Sequence, residues 1–70
     1  MNEMETLLKK FGFDFEKKTE DRYTKYTLAR GDYFDDTQLR QIASADDFEW
    51  LEANLQGEMV ITISNARVKK

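Results

Sequence analysis

The stretch DYFDDTQLRQIASADDFEWLEANLQGE, residues 32–58, carries the charge pattern and the helix signals on which the predicted fold depends. It holds eight of the fourteen acidic residues of the 70-residue chain and a single base, Arg40. The eight acids are Asp32, Asp35, Asp36, Asp46, Asp47, Glu49, Glu52 and Glu58. The net charge of −3 therefore combines an acidic segment with flanks that are basic. Such a charge block predicts which partners a small domain attracts rather than how it folds.

The first half of this stretch predicts a helix over residues 36–43. Asp35 or Asp36 can accept hydrogen bonds from the free N–H groups of a helix start, and Gln38 completes a capping-box spacing with Asp35. Apolar residues then recur with the period of a helix that is buried on one side. They are Leu39, Ile42 and Ala43.

The second half predicts another helix, which begins at Ser44. Ser44 and Asp47 repeat the capping-box spacing, and Gly57 stands where a helix C-cap is expected. The apolar stripe of this helix consists of Phe48, Leu51 and Leu55. On a helical wheel Trp50 lies about 120° from the centre of that stripe, at the rim of the acidic surface. We expect the indole either to anchor a partner or second subunit, or to fold over the edge of the core or under the basic tail.

Outside this stretch the apolar spacing predicts one more helix and three strands. Apolar residues recur at helical spacing over residues 2–11, and Gly12 follows as a C-cap. Apolar and polar residues alternate over residues 13–18 and 58–64, while residues 22–30 are rich in the Tyr and Thr that strands favour. The short polar connection between the first two strands predicts a hairpin.

These elements predict a single α+β domain over residues 1–70, with helices packed on one face of a three-stranded antiparallel sheet. The element order is helix, strand, strand, helix, helix, strand, and a right-handed crossover that spans one strand gives the sheet order 2-1-3. Residues 65–70 form a basic tail that is expected to fray. The predicted core consists of Leu7, Phe11, Phe13, Phe15, Tyr26, Leu28, Leu39, Ile42, Phe48, Leu51, Leu55, Ile61 and Ile63.

The composition argues against catalysis and against cofactor binding. The chain has no cysteine and no histidine, so thiolate chemistry, disulfides and the commonest general base are missing. It has no phosphate-binding glycine loop, and the spacing of Asp32, Asp35 and Asp36 is not that of a calcium loop. We therefore predict a protein that is not an enzyme and that holds neither a metal nor a cofactor.

The first residues do not have the pattern of an export signal. Glu3 and Glu5 stand where a signal peptide carries positive charge. No apolar run approaches the roughly 20 residues of a membrane span. A cytoplasmic location without a membrane partner is the resulting expectation.

The acidic segment predicts a non-catalytic protein-binding module that engages a basic partner. In its sharpest form such a module imitates the charge of DNA and inhibits a DNA-binding protein, as small acidic proteins of phages and mobile elements do. The predicted partner-binding residues are Asp32, Asp35, Asp36, Asp46, Asp47, Glu49, Trp50 and Glu52. A small sheet with a polar far face could also form a homodimer.

The alternative prediction is a small nucleic-acid-binding domain that uses the basic hairpin of the first two strands. Tyr23 beside Lys25 on an exposed sheet face is the arrangement of a base-stacking platform with phosphate contacts. The residues of this face are Lys17, Lys18, Arg22, Tyr23 and Lys25. The sequence pI of about 4.8 opposes binding to phosphates, which makes nucleic acid the less favoured partner.

Overall fold

The computed structural model describes residues 3–65, which form a small α+β domain of two helices and a four-stranded antiparallel sheet. The helices and strands, in chain order, are α1 (Glu3–Phe11), β1 (Phe15–Thr19), β2 (Tyr23–Leu28), α2 (Asp36–Ala43), β3 (Phe48–Ala53) and β4 (Met59–Ser64). The predicted fold class is confirmed, whereas the predicted count of three helices and three strands is wrong. Within residues 3–65, no helix is long and apolar enough to cross a membrane.

The strands lie in the order β1-β2-β4-β3, so the predicted order 2-1-3 is wrong. The strand that the sequence predicts third is β4, and it pairs with β2 rather than with β1, with Tyr26 opposite Ile61. Each half of the chain is a helix followed by a hairpin, and the second strands of the two hairpins pair at the centre of the sheet. Because the prediction lacks β3, it lacks the hairpin that places β4 on this side of β2.

The helix predicted from Ser44 is not formed, and this segment contains the edge strand β3. Phe48 and Leu51 both pack against the core, although residues three apart in a regular strand face opposite sides. A bulge between Phe48 and Trp50 supplies the extra residue that brings them to the same side. A spacing of three therefore fits a bulged strand as well as a helix, and pairing with β4 decides between them.

A tight turn between β3 and β4 replaces the end of the predicted helix. The Asn54 side-chain oxygen accepts hydrogen bonds from the N–H groups of Gln56 (3.0 Å) and Glu58 (2.9 Å), and its amide donates to the Glu58 carboxylate (2.9 Å). Gly57 adopts a φ of +81°, so it serves this turn rather than a helix C-cap. Leu55 at the tip is 101% exposed, which removes it from the predicted core.

The other predicted elements are present with small changes in their bounds. α2 has the predicted bounds, and its capping box is formed: Gln38 N–H donates to the Asp35 carboxylate (2.8 Å), and the Gln38 side chain accepts from Asp35 N–H (3.0 Å). β1 begins two residues later than predicted. Phe13, in the connection before β1, packs edge-on against Phe34 with ring centroids 5.0 Å apart.

The core lies between the two helices and one face of the sheet. The predicted core residues that are buried are Tyr26, Leu28, Ile42, Ile61 and Ile63. The predicted core residues that are half-buried are Leu7, Phe11, Phe13, Phe15, Leu39, Phe48 and Leu51. Met4 and Leu8 are fully buried and are missing from the predicted core, although Met4 and Leu8 lie on the apolar stripe of the predicted first helix.

The chain after β4 is described only as far as Asn65, so the predicted fraying of residues 66–70 lies outside the described residues. Asn65, the one residue of the predicted tail that the structure describes, makes hydrogen bonds with its backbone and with its side chain. Its backbone N–H donates to the Arg22 carbonyl (2.8 Å), and its side-chain amide donates to the Glu20 carbonyl (2.7 Å). Its side-chain oxygen accepts from the Thr24 hydroxyl (2.6 Å). These bonds tie the end of β4 to the turn between β1 and β2.

Candidate functional site: an acidic end and an open sheet face

One end of the molecule collects three connections and many of the acids. The strand registers place the starts of β1 and β4 beside the ends of β2 and β3. Residues 12–14, 29–35 and 54–58 therefore connect elements at the same end, which we call the acidic end. Its acids are Asp14, Glu16, Asp32, Asp35, Asp36, Glu52 and Glu58, and its bases are Lys9, Lys10 and Arg30.

Two large apolar side chains project from the acidic end into solvent. Tyr33 is 60% exposed and Leu55 is 101% exposed. The two connections that carry them are joined by a hydrogen bond, which Arg30 Nε–H donates to the Gln56 carbonyl (3.2 Å). The acidic end therefore offers two apolar contact points among carboxylates, on connections that are fixed to each other.

A shallow pocket of about 300 Å³ opens at the acidic end. It is lined by Asp14, Phe15, Glu16, Thr27, Leu28, Ala29 and Glu58. Apolar groups beside carboxylates suit the alkyl stem and the charged head of a Lys or Arg side chain. Within residues 3–65, no group of three or more acidic side chains is arranged to hold a metal ion.

The structure divides the predicted partner-binding residues between opposite ends of the molecule. The residues at the acidic end are Asp32, Asp35, Asp36 and Glu52. The residues at the opposite end, beside the start of β3, are Asp46, Asp47 and Glu49. Asp47 is only 5% exposed, and α2 alone separates the two groups by about 12 Å along its axis. The single acidic helical surface that the sequence predicts is therefore not formed, because its second helix is β3.

The sheet face opposite α1 and α2 is a second candidate surface, which we call the open face. Strand pairing and the alternation of side chains place two adjacent rows of residues on it. The first row, from β1 to β3, is Lys18, Lys25, Thr62 and Trp50. The second row is Glu16, Thr27, Val60 and Glu52, and its two glutamates lie where the open face borders the acidic end. The charges of the two rows balance, with two lysines against two glutamates.

Tyr23 and Trp50 meet on the open face across β4, with ring centroids 5.5 Å apart and ring planes 56° apart. Trp50 is 42% exposed, while Thr62 between the flanking strands is fully buried. The sequence predicts Trp50 at the rim of an acidic helix, but the structure places it on a strand beside an aromatic partner. The helical reading misses this contact, because the contact exists only when β3 joins the sheet.

The structure brings together only part of the predicted nucleic-acid face. Lys18 and Lys25 stand directly opposite each other on the open face, and Tyr23 follows on the same side of β2. Arg22 lies in the turn before β2. Lys17 alternates to the side that the helices cover, so its place on this face is corrected.

Lys17 belongs to a polar cluster between α1 and the sheet. Its ammonium lies 2.6 Å from Glu5 Oε2, and the hydroxyl of the buried Tyr26 donates to the same oxygen (3.0 Å). The hydrogen bond from Lys17, helped by the one from Tyr26, lowers the pKa of Glu5 although partial burial opposes this shift. The charge of Lys17 therefore holds α1 to the first hairpin.

No protein-family model, curated protein or solved structure matches the chain. The candidate sites are therefore the two surfaces described above. The acidic end presents Tyr33 and Leu55 among carboxylates, and the open face presents Tyr23 and Trp50 among balanced charges.

Proposed function

We propose that the protein is a non-catalytic binding module that engages a basic surface of a partner protein through its acidic end. The observation that carries this proposal is the exposure of Tyr33 and Leu55 among seven carboxylates at one end of the fold. In protein interfaces a few large side chains contribute most of the binding energy. The polar and charged groups around them determine specificity and raise the association rate. The carboxylates of the acidic end therefore favour a partner with a positively charged surface.

The pocket at the acidic end supports a partner that presents Lys or Arg. A basic side chain that enters it would lay its stem against the half-buried Phe15 and bring its charge near Asp14 and Glu58. A DNA-binding protein is the class of partner that presents such side chains in number, and occupation of its DNA site would make the module an inhibitor. Duplex DNA should then compete with the module for the partner.

The order of the β3–β4 turn also supports binding at this end. Three hydrogen bonds of the Asn54 side chain and the bond from Arg30 brace the turn. A contact residue on a fixed turn loses little conformational freedom when it is bound, so more of its contact energy appears as affinity. Leu55 is placed on such a turn.

The proposal is tested by capturing partners from a native lysate on the immobilised protein at low and at high salt. We expect a basic protein that is released as salt rises, because exposed charges are screened beyond about 8 Å at physiological ionic strength. Leu55→Ser and Tyr33→Ser should each weaken its binding by about 1–2 kcal/mol. Each should change the free energy of unfolding by less than about 0.5 kcal/mol.

Two outcomes would contradict the proposal. Recovery of nucleic acid without a protein partner would transfer the function to the open face and its lysines, Lys18 and Lys25. Turnover of a small molecule by the purified protein would show that it is an enzyme.

A further inference from the structure

The open face differs from the acidic end in its charge pattern. It carries a partly exposed aromatic pair, and its two rows contain Lys18 and Lys25 against Glu16 and Glu52. A polyanion would meet the two glutamates, and a polycation would meet the two lysines. A surface with both signs in adjacent rows fits a partner that has the same alternation. We propose that the open face is a homodimer interface, and that its occupant is a second copy of this chain.

The charge pattern also selects the symmetry of the dimer. A two-fold axis that runs perpendicular to the strands, between the two rows, stacks the first row of each copy on the second row of the other. Lys18 of each copy then faces Glu16 of the other, and Trp50 of each copy faces Glu52 of the other. An axis parallel to the strands would instead set Glu16 against Glu52 and would leave Lys18 without a facing carboxylate. The perpendicular axis is therefore the favoured one.

Lys18 already has a neighbour within the chain, and that contact does not prevent the proposed one. The Lys18 ammonium lies 3.7 Å from the Glu20 carboxylate, and the two side chains are 77% and 50% exposed. Ion pairs that are this exposed contribute little. Lys18 also stands opposite Lys25, and like charges opposite each other in a sheet repel. A carboxylate from a second copy would relieve this repulsion.

The area of the open face predicts a weak dimer. Four strands spaced by about 4.8 Å and rows over about five residues give a face of at most roughly 19 by 17 Å. The residues of β4 on this face, Val60 and Thr62, are already buried in the single chain, so less than this area is available to a second copy. Two such faces bury less than a standard interface of about 1,600 Å², and interfaces of that smaller size are transient. The dimer should therefore appear only at high protein concentration and low salt.

The test is sedimentation equilibrium of the purified chain at low salt, between about 10 µM and about 1 mM. The apparent mass should rise from the monomer value of 8.3 kDa toward twice that value. Trp50→Ala should weaken the dimer, and its folding should be checked by circular dichroism. Lys18→Glu and Glu16→Lys should each weaken the dimer by at least about tenfold. Each substitution would place like charges opposite each other at both symmetry-related contacts of the dimer. The double variant Lys18→Glu with Glu16→Lys should restore it.

Two controls separate this proposal from binding at the acidic end. Leu55→Ser and Lys9→Glu alter exposed side chains outside the open face and should leave the dimer unchanged. A chain that stays monomeric throughout this range would overturn the proposal. So would a dimer that the charge variants leave intact, or one that Leu55→Ser abolishes. A monomer whose open face instead binds a single-stranded oligonucleotide, with loss in Lys18→Glu, would assign the face to nucleic acid.

Discussion

At the scale of single residues, Glu5 makes stability depend on pH in a way that follows from the direction of its pKa shift. Its pKa is lowered in the folded chain by Lys17 and Tyr26, so the carboxylate stabilises the fold above the ordinary glutamate pKa of about 4.3. This contribution is lost as the pH falls through the lowered value. Glu5→Gln should therefore be less stable than the parent chain at neutral pH, and the difference should shrink below about pH 4.

Urea unfolding of both chains at a series of pH values measures this difference. Glu3→Gln is a suitable control, because it removes an exposed carboxylate from the same helix. Its effect should be small at every pH. A Glu5→Gln difference that stays constant down to about pH 2 would show that the contact does not depend on the charge of Glu5.

Thr62 provides a second test at this scale. Its side chain is fully buried, and within residues 3–65 its hydroxyl has no hydrogen-bond partner. Replacing an unsatisfied buried hydroxyl by a methyl group of the same shape removes a desolvation penalty, so Thr62→Val should raise the free energy of unfolding by about 1 kcal/mol. Thr24→Val is the matched control, because the buried Thr24 hydroxyl donates to Asn65 at 2.6 Å. Thr24→Val should lower the free energy of unfolding by about 1 kcal/mol. If Thr62→Val lowers it as well, the Thr62 hydroxyl is not an unsatisfied group.

At the scale of elements, the β3–β4 turn depends on one side chain. Asn54 makes three hydrogen bonds in the turn, so Asn54→Ala should lower the free energy of unfolding by about 1–3 kcal/mol. Leu55→Ala in the same turn removes a fully exposed side chain. It should change the free energy of unfolding by less than about 0.5 kcal/mol. Urea unfolding measures both variants. Equal decreases in the free energy of unfolding would mean that the Leu55 side chain stabilises the turn as much as Asn54 does.

The same segment shows why the sequence predicts α2 correctly and β3 wrongly. The signals of α2 are local: Asp35 and Gln38 cap each other within four residues. The signals of β3 are not local, because Phe48 and Leu51 share a side only through a bulge and through pairing with β4. Ser44 and Asp47 have the spacing of a capping box, but Asp47 lies buried beside the end of β4 and its carbonyl accepts from Ser64 N–H (2.7 Å).

In the molecule as a whole, β3 takes the place of a predicted helix, so the predicted acidic residues do not share one surface. The sequence predicts the α+β class, the first hairpin and most of the core, because the alternation and the helical spacing of these parts are clear. The sequence alone does not reveal that the acids of residues 32–58 lie at opposite ends of the domain, because their positions depend on the sheet order. The turn that exposes Leu55 was likewise hidden, although Asn54 three residues before Gly57 is a turn signal that could have revealed it.

If the acidic end binds a basic partner, as proposed, its own carboxylates are required and those at the opposite end are not. Two triple variants that each remove three negative charges separate these possibilities. One neutralises the acidic end with Asp14→Asn, Asp32→Asn and Asp36→Asn. The other neutralises the opposite end with Glu3→Gln, Glu20→Gln and Asp21→Asn. Each set removes one acid from the first turn of a helix, so their costs to folding should be similar.

The deciding measurement is the affinity of each variant for the partner captured at low salt, once that protein has been purified. We expect the variant of the acidic end to bind at least about tenfold more weakly than the parent, and the variant of the opposite end to stay within about threefold. Equal losses in both variants would show that net charge alone attracts the partner. A larger loss in the variant of the opposite end would contradict the assignment of the site.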